Sequence, residues 1–390
     1  MKKNIIYLIL ILFSTFLNAN EKIVLQLKWF HQFQFAGYYA AKEKGFYDEV
    51  GLNVEIRQRD LKYNNIDEVI NGNAQYGVAD SILILYRLKQ QPVVIVSPIF
   101  QHSPSVFISL KKSNISSVYE LNNKDILFYP NDTDGFSLLA MIKKFDLDVN
   151  LVRERYKDDY MRLINNEVDV MPAYIANEPF LFKEKGYDVN IINPTNYGFD
   201  MYGDMLFTNE DEAKNNPIRV EKFKEATLKG WKYALENKEE IIQLINEKYS
   251  KEKSIEHLRY EANAIDSLIN KDVTPLGYLD QGRIRYISEM YEYYGLTESK
   301  IDLNDFLFDE ISKKDKKLSL SDEEIKYLKD NPILKVHNFD SLPPYNFTLN
   351  NYPKGFVIDY IQLVGKVLGV KIEFIQNKSL KESFDMLENN

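Results

Sequence analysis

Short apolar runs rich in β-branched residues alternate along the chain with segments in which apolar residues recur every three or four positions. The first pattern is typical of buried strands and the second of amphipathic helices, which together predict βαβ units on a largely parallel sheet. In the first series, we predict strands at 23–27, 52–57, 76–79 and 93–99 and helices at 37–44, 66–71 and 82–89. In the second, we predict strands at 105–110, 126–129, 151–153, 168–174 and 189–192 and helices at 136–145, 160–165 and 178–185.

After Gly203 the pattern changes to long, charged helical stretches, predicted at 217–237, 239–249, 254–269 and 280–294. A chain that builds one lobe, then a second, and then returns must cross between the lobes more than once. We therefore predict a two-lobed α/β domain over 21–302, with a cleft and two hinge strands. Its first lobe comprises 21–104 and 203–302, and its second lobe comprises 105–202.

The C-terminal part begins another α/β fold. The segment 303–322, rich in lysine and acidic residues, predicts a linker, and Ser321 followed by three acidic residues is typical of a helix N-terminus. Helices at 325–329 and 357–367 and strands at 333–337 and 370–375 follow. Two strands are too few to bury a core, so we expect the domain over 323–390 to be incomplete, in a fragment or a truncated gene product.

Charge and cysteine content exclude several classes of function. The 390 residues carry a net charge of −9, from 49 basic and 58 acidic side chains, with no basic block that could follow a phosphate backbone. Nucleic acid is therefore not an expected partner. The chain contains no cysteine, which excludes disulfides, thiolate zinc sites, cysteine nucleophiles and a lipidated N-terminal cysteine.

The N-terminus has the layout of a secretory signal. Two lysines precede an apolar stretch at 5–17, and the small residue Ala19 follows it. We predict a signal peptide over 1–20, cleaved near Ala19 or Asn20, and a periplasmic location. The apolar stretch is shorter than the roughly 20 residues that span a bilayer; an uncleaved anchor is the alternative.

An aromatic run from Trp29 to Tyr39 lies at a predicted strand-to-helix junction. In open α/β sheets, small ligands bind outside the carboxyl ends of strands, and flat rings there stack on planar heterocycles. Trp29 and Tyr38 each have a polar group and are predicted to line a ligand pocket. Phe33, Phe35 and Tyr39 are predicted to be core residues.

Several polar residues follow predicted strands and are candidates for the same cleft. These ligand-binding candidates are Asp80, Ser81, Gln101, Tyr129, Tyr197 and Asp200. For Asp80 and Ser81, a plain helix N-cap is an equal alternative.

Glu178 is the carboxylate that we consider the strongest candidate. A buried acid opposite an amino-pyrimidine accepts from the exocyclic amine and the ring edge together, as charge-assisted hydrogen bonds. The alternative is a first-turn acid that complements a helix dipole, with Pro179 at the first helical position.

Catalytic patterns are weak in this sequence. Its four histidines are scattered, and neither a Gly-x-Ser-x-Gly motif nor a phosphate-binding glycine loop occurs. We assign no catalytic residue, metal site or cofactor.

Residues 22–300 resemble the thiamine-pyrimidine-precursor binding family, which contains periplasmic solute-binding proteins and a fungal thiamine pyrimidine synthase. The matching motifs are Leu27–Phe30, Ala36–Tyr47, Gly77–Ser81, Pro92–Val94, Glu178 and Asn196–Gly198. The resemblance implies a type II periplasmic-binding-protein fold that closes over a small organic ligand and works with an ABC permease.

The enzyme branch of that family is the alternative function. Its members use a lysine that holds pyridoxal phosphate, a histidine consumed as substrate, and a cysteine-rich segment. Residues 77–85 contain neither lysine nor histidine, and the chain has no cysteine. We therefore favour a binding module over a thiamine pyrimidine synthase.

Residues 320–390 resemble the start of a family 3 solute-binding domain, through motifs at 330–336, 342–347 and 355–360. This adds an incomplete second copy of a similar fold. Proteins with such a tandem arrangement commonly continue into a membrane helix and a cytoplasmic histidine kinase or diguanylate cyclase. The resemblance implies that type of signalling partner and a membrane anchor beyond residue 390.

Overall fold

The computed structural model of the chain describes residues 21–128, 136–152, 159–298, 300–315, 320–338, 341–350, 352–375 and 382. It divides into two units, Met1–Ser312 and Lys313–Asn390. The predicted signal peptide lies outside the described residues. Among the residues described, no helix combines the length and apolar character needed to cross a membrane.

The first unit contains two lobes built around separate sheets. Its strands are β1 (Glu21–Gln26), β2 (Leu52–Arg57), β3 (Tyr76–Ala79), β4 (Val93–Pro98), β5 (Ser105–Leu110), β6 (Asp125–Leu127), β7 (Asn150–Val152), β8 (Met171–Tyr174), β9 (Val189–Ile192) and β10 (Met205–Asn209). The first lobe has one five-stranded sheet in the order β2-β1-β3-β10-β4. The alternating apolar pattern predicted nine of these strands to within a few residues.

Strand β10 was missed by the sequence analysis. It inserts between β3 and β4 and runs antiparallel to both. All but its last residue are buried, so the strand that returns from the second lobe completes the first sheet. The predicted parallel sheet of the first lobe is therefore mixed.

The second lobe also contains both parallel and antiparallel strand pairs, although a largely parallel sheet was predicted. Strand β5 pairs antiparallel with β8 on one side and β9 on the other, and β6 pairs parallel with β7. The last residue of β8, Tyr174, lies opposite Ser105, the first residue of β5. Tyr174 therefore lies where the chain enters the second lobe from the first.

The helices of the first unit are α1 (Ala36–Glu43), α2 (Phe46–Glu49), α3 (Asn65–Ile70), α4 (Ile82–Leu88), α5 (Phe136–Lys144), α6 (Asp159–Ile164), α7 (Glu178–Glu184), α8 (Glu210–Asn215), α9 (Pro217–Glu236), α10 (Lys238–Lys248), α11 (Ile255–Ile269), α12 (Gln281–Tyr293) and α13 (Phe308–Asp315). Helices α1 and α9 cross closely. A Cβ atom on Gly37 would lie 2.1 Å from Cγ of Trp231, and one on Gly230 would lie 2.2 Å from the Gly37 carbonyl oxygen. The two glycines allow this crossing.

We expect Gly37→Ala to destabilise the first unit by about 1–3 kcal/mol, because the added methyl group overpacks against the buried Trp231 ring. Gly282→Ala is the matched control, since Gly282 is also the second residue of a helix and its Cβ would meet only Asp280 Oδ1, at 3.1 Å. The control should be neutral or slightly stabilising. Urea denaturation measures both, and an unchanged midpoint for Gly37→Ala would contradict the packing argument.

Two adjacent chain segments connect the lobes. The amide nitrogen of Ile99 donates to the Asp204 carbonyl oxygen at 2.8 Å, and that of Gly203 donates to the Phe100 carbonyl oxygen at 3.1 Å. Asp200 contacts His102 Nδ1 at 2.9 Å. These contacts join the outgoing and returning segments, as the predicted pair of hinges requires.

The first part of the segment predicted as a polar linker, residues 303–312, packs against the first unit. Phe306 and Leu307 are buried in the core of the first unit, and the Phe306 carbonyl oxygen accepts from Ile95 N at 2.8 Å. Apolar residues interspersed among the charges therefore hold 303–312 against β4.

The second unit contains α14 (Asp322–Asp330), β11 (Ile333–His337), β12 (Ser341–Leu342), β13 (Asn346–Leu349), β14 (Tyr352–Lys354), α15 (Phe356–Leu368) and β15 (Lys371–Ile375). Strands β11 and β15 form a parallel pair, and β12, β13 and β14 form an antiparallel sheet. Ser321 is the N-cap of α14, as predicted, and it also forms a capping box with Glu324.

Candidate functional site

A buried lysine lies at the junction of the two lobes. Lys28 Nζ donates to Tyr174 Oη at 2.6 Å and contacts Asp204 Oδ1 at 3.3 Å and Asp80 Oδ2 at 3.6 Å. Lys28 and Asp204 are each 2% exposed. Since a buried charge is tolerated only when it is paired, these groups depend on one another.

The fold brings these four residues together from strand ends. Lys28 follows β1, Asp80 follows β3, and Asp204 immediately precedes β10, which runs in the opposite direction. All three therefore lie at one edge of the first sheet. Tyr174, at the end of β8, approaches them from the second lobe.

A chain of buried amides extends this centre toward α11. Gln34 Nε2 donates to Asp204 Oδ2 at 2.7 Å, and Gln32 Nε2 donates to Gln34 Oε1. Gln32 Oε1 accepts from Lys253, which also pairs with the buried Glu261. The network therefore links Asp204 to Glu261 of α11 through side chains of the first lobe.

Glu178 lies on the facing surface of the second lobe. Its carboxylate accepts from Tyr174 N and from Asn177 Nδ2, each at 2.6 Å. Burial raises the pKa of Glu178 above its ordinary value, although the hydrogen bond from Tyr174 N and the charge of Lys253 act in the opposite direction. Glu178 is also the first residue of α7, followed by Pro179, so the helix-start alternative describes its position as well.

Contacts from α11 and the residues before it link the lobes at the rim. Ser254 Oγ donates to Glu184 Oε1 at 2.7 Å, and Tyr260 Oη donates to the Ile175 carbonyl oxygen at 2.9 Å. The ring of Phe180 lies 5.0 Å from that of His257. The two lobes are thus in contact, and the residues around Lys28 are enclosed.

The aromatic candidates divide between core and cleft border. Trp29 is half-buried beside Phe30, with ring centroids 5.3 Å apart. Tyr38 is 1% exposed and packs edge-on against Trp231, because it lies on the face of α1 that meets α9. Tyr38 is therefore a core residue. The sequence had predicted that it would line the ligand pocket.

The core prediction for Phe33, Phe35 and Tyr39 is confirmed, since all three are buried. Burial, followed by the charge of Asp204, raises the pKa of Tyr38 well above its ordinary value.

The polar candidates nearest the centre have structural partners. Asp80 Oδ1 accepts from the amide nitrogen of Ile82, the first residue of α4, at 2.9 Å. Ser81 Oγ donates to the Tyr202 carbonyl oxygen at 2.6 Å, and Gln101 Nε2 donates to the Tyr278 carbonyl oxygen at 3.0 Å. The Asp80 contact agrees with the helix-start alternative, and its ligand-binding role stays a prediction. Ser81 and Gln101 stabilise the hinge region.

Two further candidates lie apart from Lys28. Asp200 pairs with His102 and with Arg283 Nη2, at 3.1 Å, and is therefore a hinge residue. Tyr197 accepts from Val118 N and packs against Phe145 within the second lobe. Tyr129 lies outside the described residues.

The sequence analysis missed most of the residues that form the centre. They are Lys28, Gln32, Gln34, Tyr174, Lys253, Asp204 and Glu261. Lys28 had a recognisable signal, because it directly follows an apolar strand and belongs to a family motif.

Carboxyl groups outnumber ammonium groups where the lobes meet, within the part of the chain that the structure describes. The carboxyl groups of Asp80, Glu178, Asp204 and Glu261 there face the ammonium groups of Lys28 and Lys253. This balance favours a ligand that donates hydrogen bonds over an anion. Within the same described residues, no cluster of His, Asp and Glu is arranged to hold a metal ion.

Comparison with known families and proteins gives one family match and several relatives. The NMT1/THI5-like family profile matches residues 32–241. Riboflavin-binding protein RibY of Chloroflexus aurantiacus is 26% identical over 236 residues, which cover 57% of this chain and 65% of RibY. The chain thus spans about two-thirds of the length of that relative.

A formylaminopyrimidine-binding protein of Halalkalibacterium halodurans is 23% identical over 232 residues, covering 58% of this chain and 70% of that protein. Among solved structures, the aliphatic sulphonate-binding protein SsuA of Escherichia coli matches with a TM-score of 0.56 and 13% identity, over 75% of this chain and 98% of SsuA. The nitrate-binding protein NrtA of Synechocystis PCC 6803 matches with a TM-score of 0.57 and 13% identity, over 78% of this chain and 90% of NrtA. These structures establish the predicted periplasmic-binding-protein fold.

Proposed function

The chain belongs to the NMT1/THI5-like family, and from that premise we propose that its first unit is a periplasmic solute-binding protein for a small planar heterocycle that carries an amino group. Formylaminopyrimidine, the ligand in the name of one relative, is the representative compound. The observation that carries the proposal is the set of carboxyl groups where the lobes meet: Asp80 and Asp204 beside Lys28, and Glu178 near Lys253.

Glu178 supplies the specific recognition. With the lobes in contact, the carboxylate accepts from Tyr174 N and Asn177 Nδ2, which fix its orientation. Each carboxylate oxygen has two lone pairs, which leaves acceptor capacity for an exocyclic amine and a ring donor. Trp29 lies one residue from Lys28 and offers an indole at the cleft border for stacking.

Hinge motion between the lobes would let the ligand enter the cleft and then enclose it. In the described part of the chain, two segments, near Phe100 and Gly203, join the lobes, which also meet through side chains such as Lys28 and Tyr174. Rotation about the two segments would open the cleft, and ligand contacts with both lobes would favour the closed arrangement.

The periplasmic location and delivery to an ABC permease follow the solute-binding relatives and the shared fold. A downstream histidine kinase or diguanylate cyclase stays a prediction from the tandem arrangement of domains. We do not favour the alternative of a thiamine pyrimidine synthase, because the named relatives RibY and the formylaminopyrimidine-binding protein are binding proteins.

A thermal-shift panel on the full chain tests this function. Formylaminopyrimidine should raise the melting temperature of the first unit, because a ligand that binds only the folded state stabilises it by about 2.7 kcal/mol at 100 times its Kd. Ethanesulfonate and nitrate should leave it unchanged. Stabilisation by either anion alone would contradict the proposal. Riboflavin is also included in the panel, and stabilisation by riboflavin alone would show that the ligand is a flavin and not an aminopyrimidine.

A further inference from the structure

Lys253 connects the two lobes through a chain of side-chain contacts. It precedes α11 in the first lobe, where it pairs with Glu261, whose other oxygen accepts from Phe33 N at 2.9 Å. Glu261 is 1% exposed, so this anchor is fixed. From there Lys253 Nζ donates to Asn177 Oδ1 of the second lobe at 2.7 Å.

The contact with Lys253 determines which way the Asn177 amide faces. An ammonium group only donates hydrogen bonds, so it requires the Asn177 oxygen and turns the amide nitrogen away. That nitrogen donates to Glu178 Oε1 at 2.6 Å. The relay Glu261–Lys253–Asn177–Glu178 therefore transmits the position of the first lobe to a carboxylate of the second.

We propose that Lys253 is a positioning residue of the ligand site, which orients the Glu178 carboxylate through Asn177 only when the two lobes are together. This inference rests on the proposed function, because it assumes that Glu178 receives the ligand. It makes lobe closure and ligand recognition one event, since opening the lobes breaks the Lys253–Asn177 bond and frees the amide.

Among the residues described, Lys253 and Tyr260 are the charged and titratable groups that act on Glu178 directly. His257 lies beside Asn177, between Glu184 and Glu261, and burial, followed by the charge of Lys253, lowers its pKa. The charge of Lys253 lowers the pKa of Glu178, against the larger effect of burial. Without Lys253, Glu178 takes up a proton at higher pH, and a ligand that needs the carboxylate is lost at higher pH as well. Tyr260 is neutral near pH 7 and bridges the lobes without contacting Asn177.

The pH dependence of formylaminopyrimidine affinity in the full chain separates positioning from lobe contact. In Lys253→Met, we expect Kd to rise more steeply from about pH 8 to about pH 5.5 than in the natural chain, because Glu178 without the lysine charge takes up a proton at higher pH. Lys253→Arg should match the natural profile to within about twofold, because it keeps the charge. Tyr260→Phe, the control, should weaken binding by the same factor at every pH, since it removes only a lobe contact.

A pH profile of Lys253→Met parallel to that of the natural chain would overturn the inference. If formylaminopyrimidine fails to bind the natural chain, the proposed function fails, and the relay is then tested without ligand. The ¹³C carboxyl signal of Glu178, assigned by its absence in Glu178→Gln, should titrate at higher pH in Lys253→Met than in the natural chain or Lys253→Arg. An unchanged titration would contradict the relay.

Discussion

Glu178→Gln is expected to weaken formylaminopyrimidine binding on the order of 100-fold or more without unfolding the protein. The substitution keeps the shape of the side chain but replaces a charged two-oxygen acceptor by a neutral amide whose nitrogen faces the ligand amine. Hydrogen bonds to charged groups contribute about 1.5–3 kcal/mol each, and 1.4 kcal/mol corresponds to a tenfold change in Kd. Isothermal titration calorimetry of the full chain measures the effect.

The matched control for this prediction is Glu167→Gln, an exposed carboxylate in the second lobe. It should bind formylaminopyrimidine with the natural affinity. If the affinity of Glu178→Gln falls by less than about fivefold, Glu178 does not form two charge-assisted hydrogen bonds with the ligand. Glu178 would then not be a ligand-binding residue.

Lys28→Met is expected to destabilise the first unit by about 3–5 kcal/mol, the typical cost of removing one partner from a buried ion pair. Methionine fills a similar volume, but Asp80 and Asp204 lose the buried ammonium group they share. The bond that joins Lys28 to Tyr174 across the lobes is also lost. The midpoint of urea denaturation of the first unit reports the change.

Lys22→Met provides the comparison, because Lys22 lies on β1, the strand that Lys28 follows, and pairs with a carboxylate, Glu55, at 3.5 Å. That pair is largely exposed, and exposed pairs contribute roughly 0–1 kcal/mol. If both variants unfold at the same urea concentration, the buried centre does not stabilise the protein as argued here.

The first lobe was predictable because its strands are short, apolar and separated by clear helical segments. Strand β10 was not, since its five residues directly precede the acidic start of α8 and read as part of a helical region. Its place in the sheet depends on the chain returning from the second lobe, which local periodicity does not record. The same return brings Asp204 to Lys28.

The candidate site was predictable only in outline. Glu178 and Asp80 were identified from their positions at strand ends and helix starts, where polar groups meet ligands. Tyr38 was assigned to the cleft because of its hydroxyl, but its position on the α9-facing side of α1 places it in the core. Lys253 carried no local signal, since it acts through contacts with three distant residues.

A crystal structure of the full chain with formylaminopyrimidine tests the central claim most directly. The account predicts the ring between the two lobes, with its amino group within hydrogen-bond distance of the Glu178 carboxylate and its face against the Trp29 indole. A ligand bound outside the space between the lobes, or bound there with its amino group away from Glu178, would contradict the account.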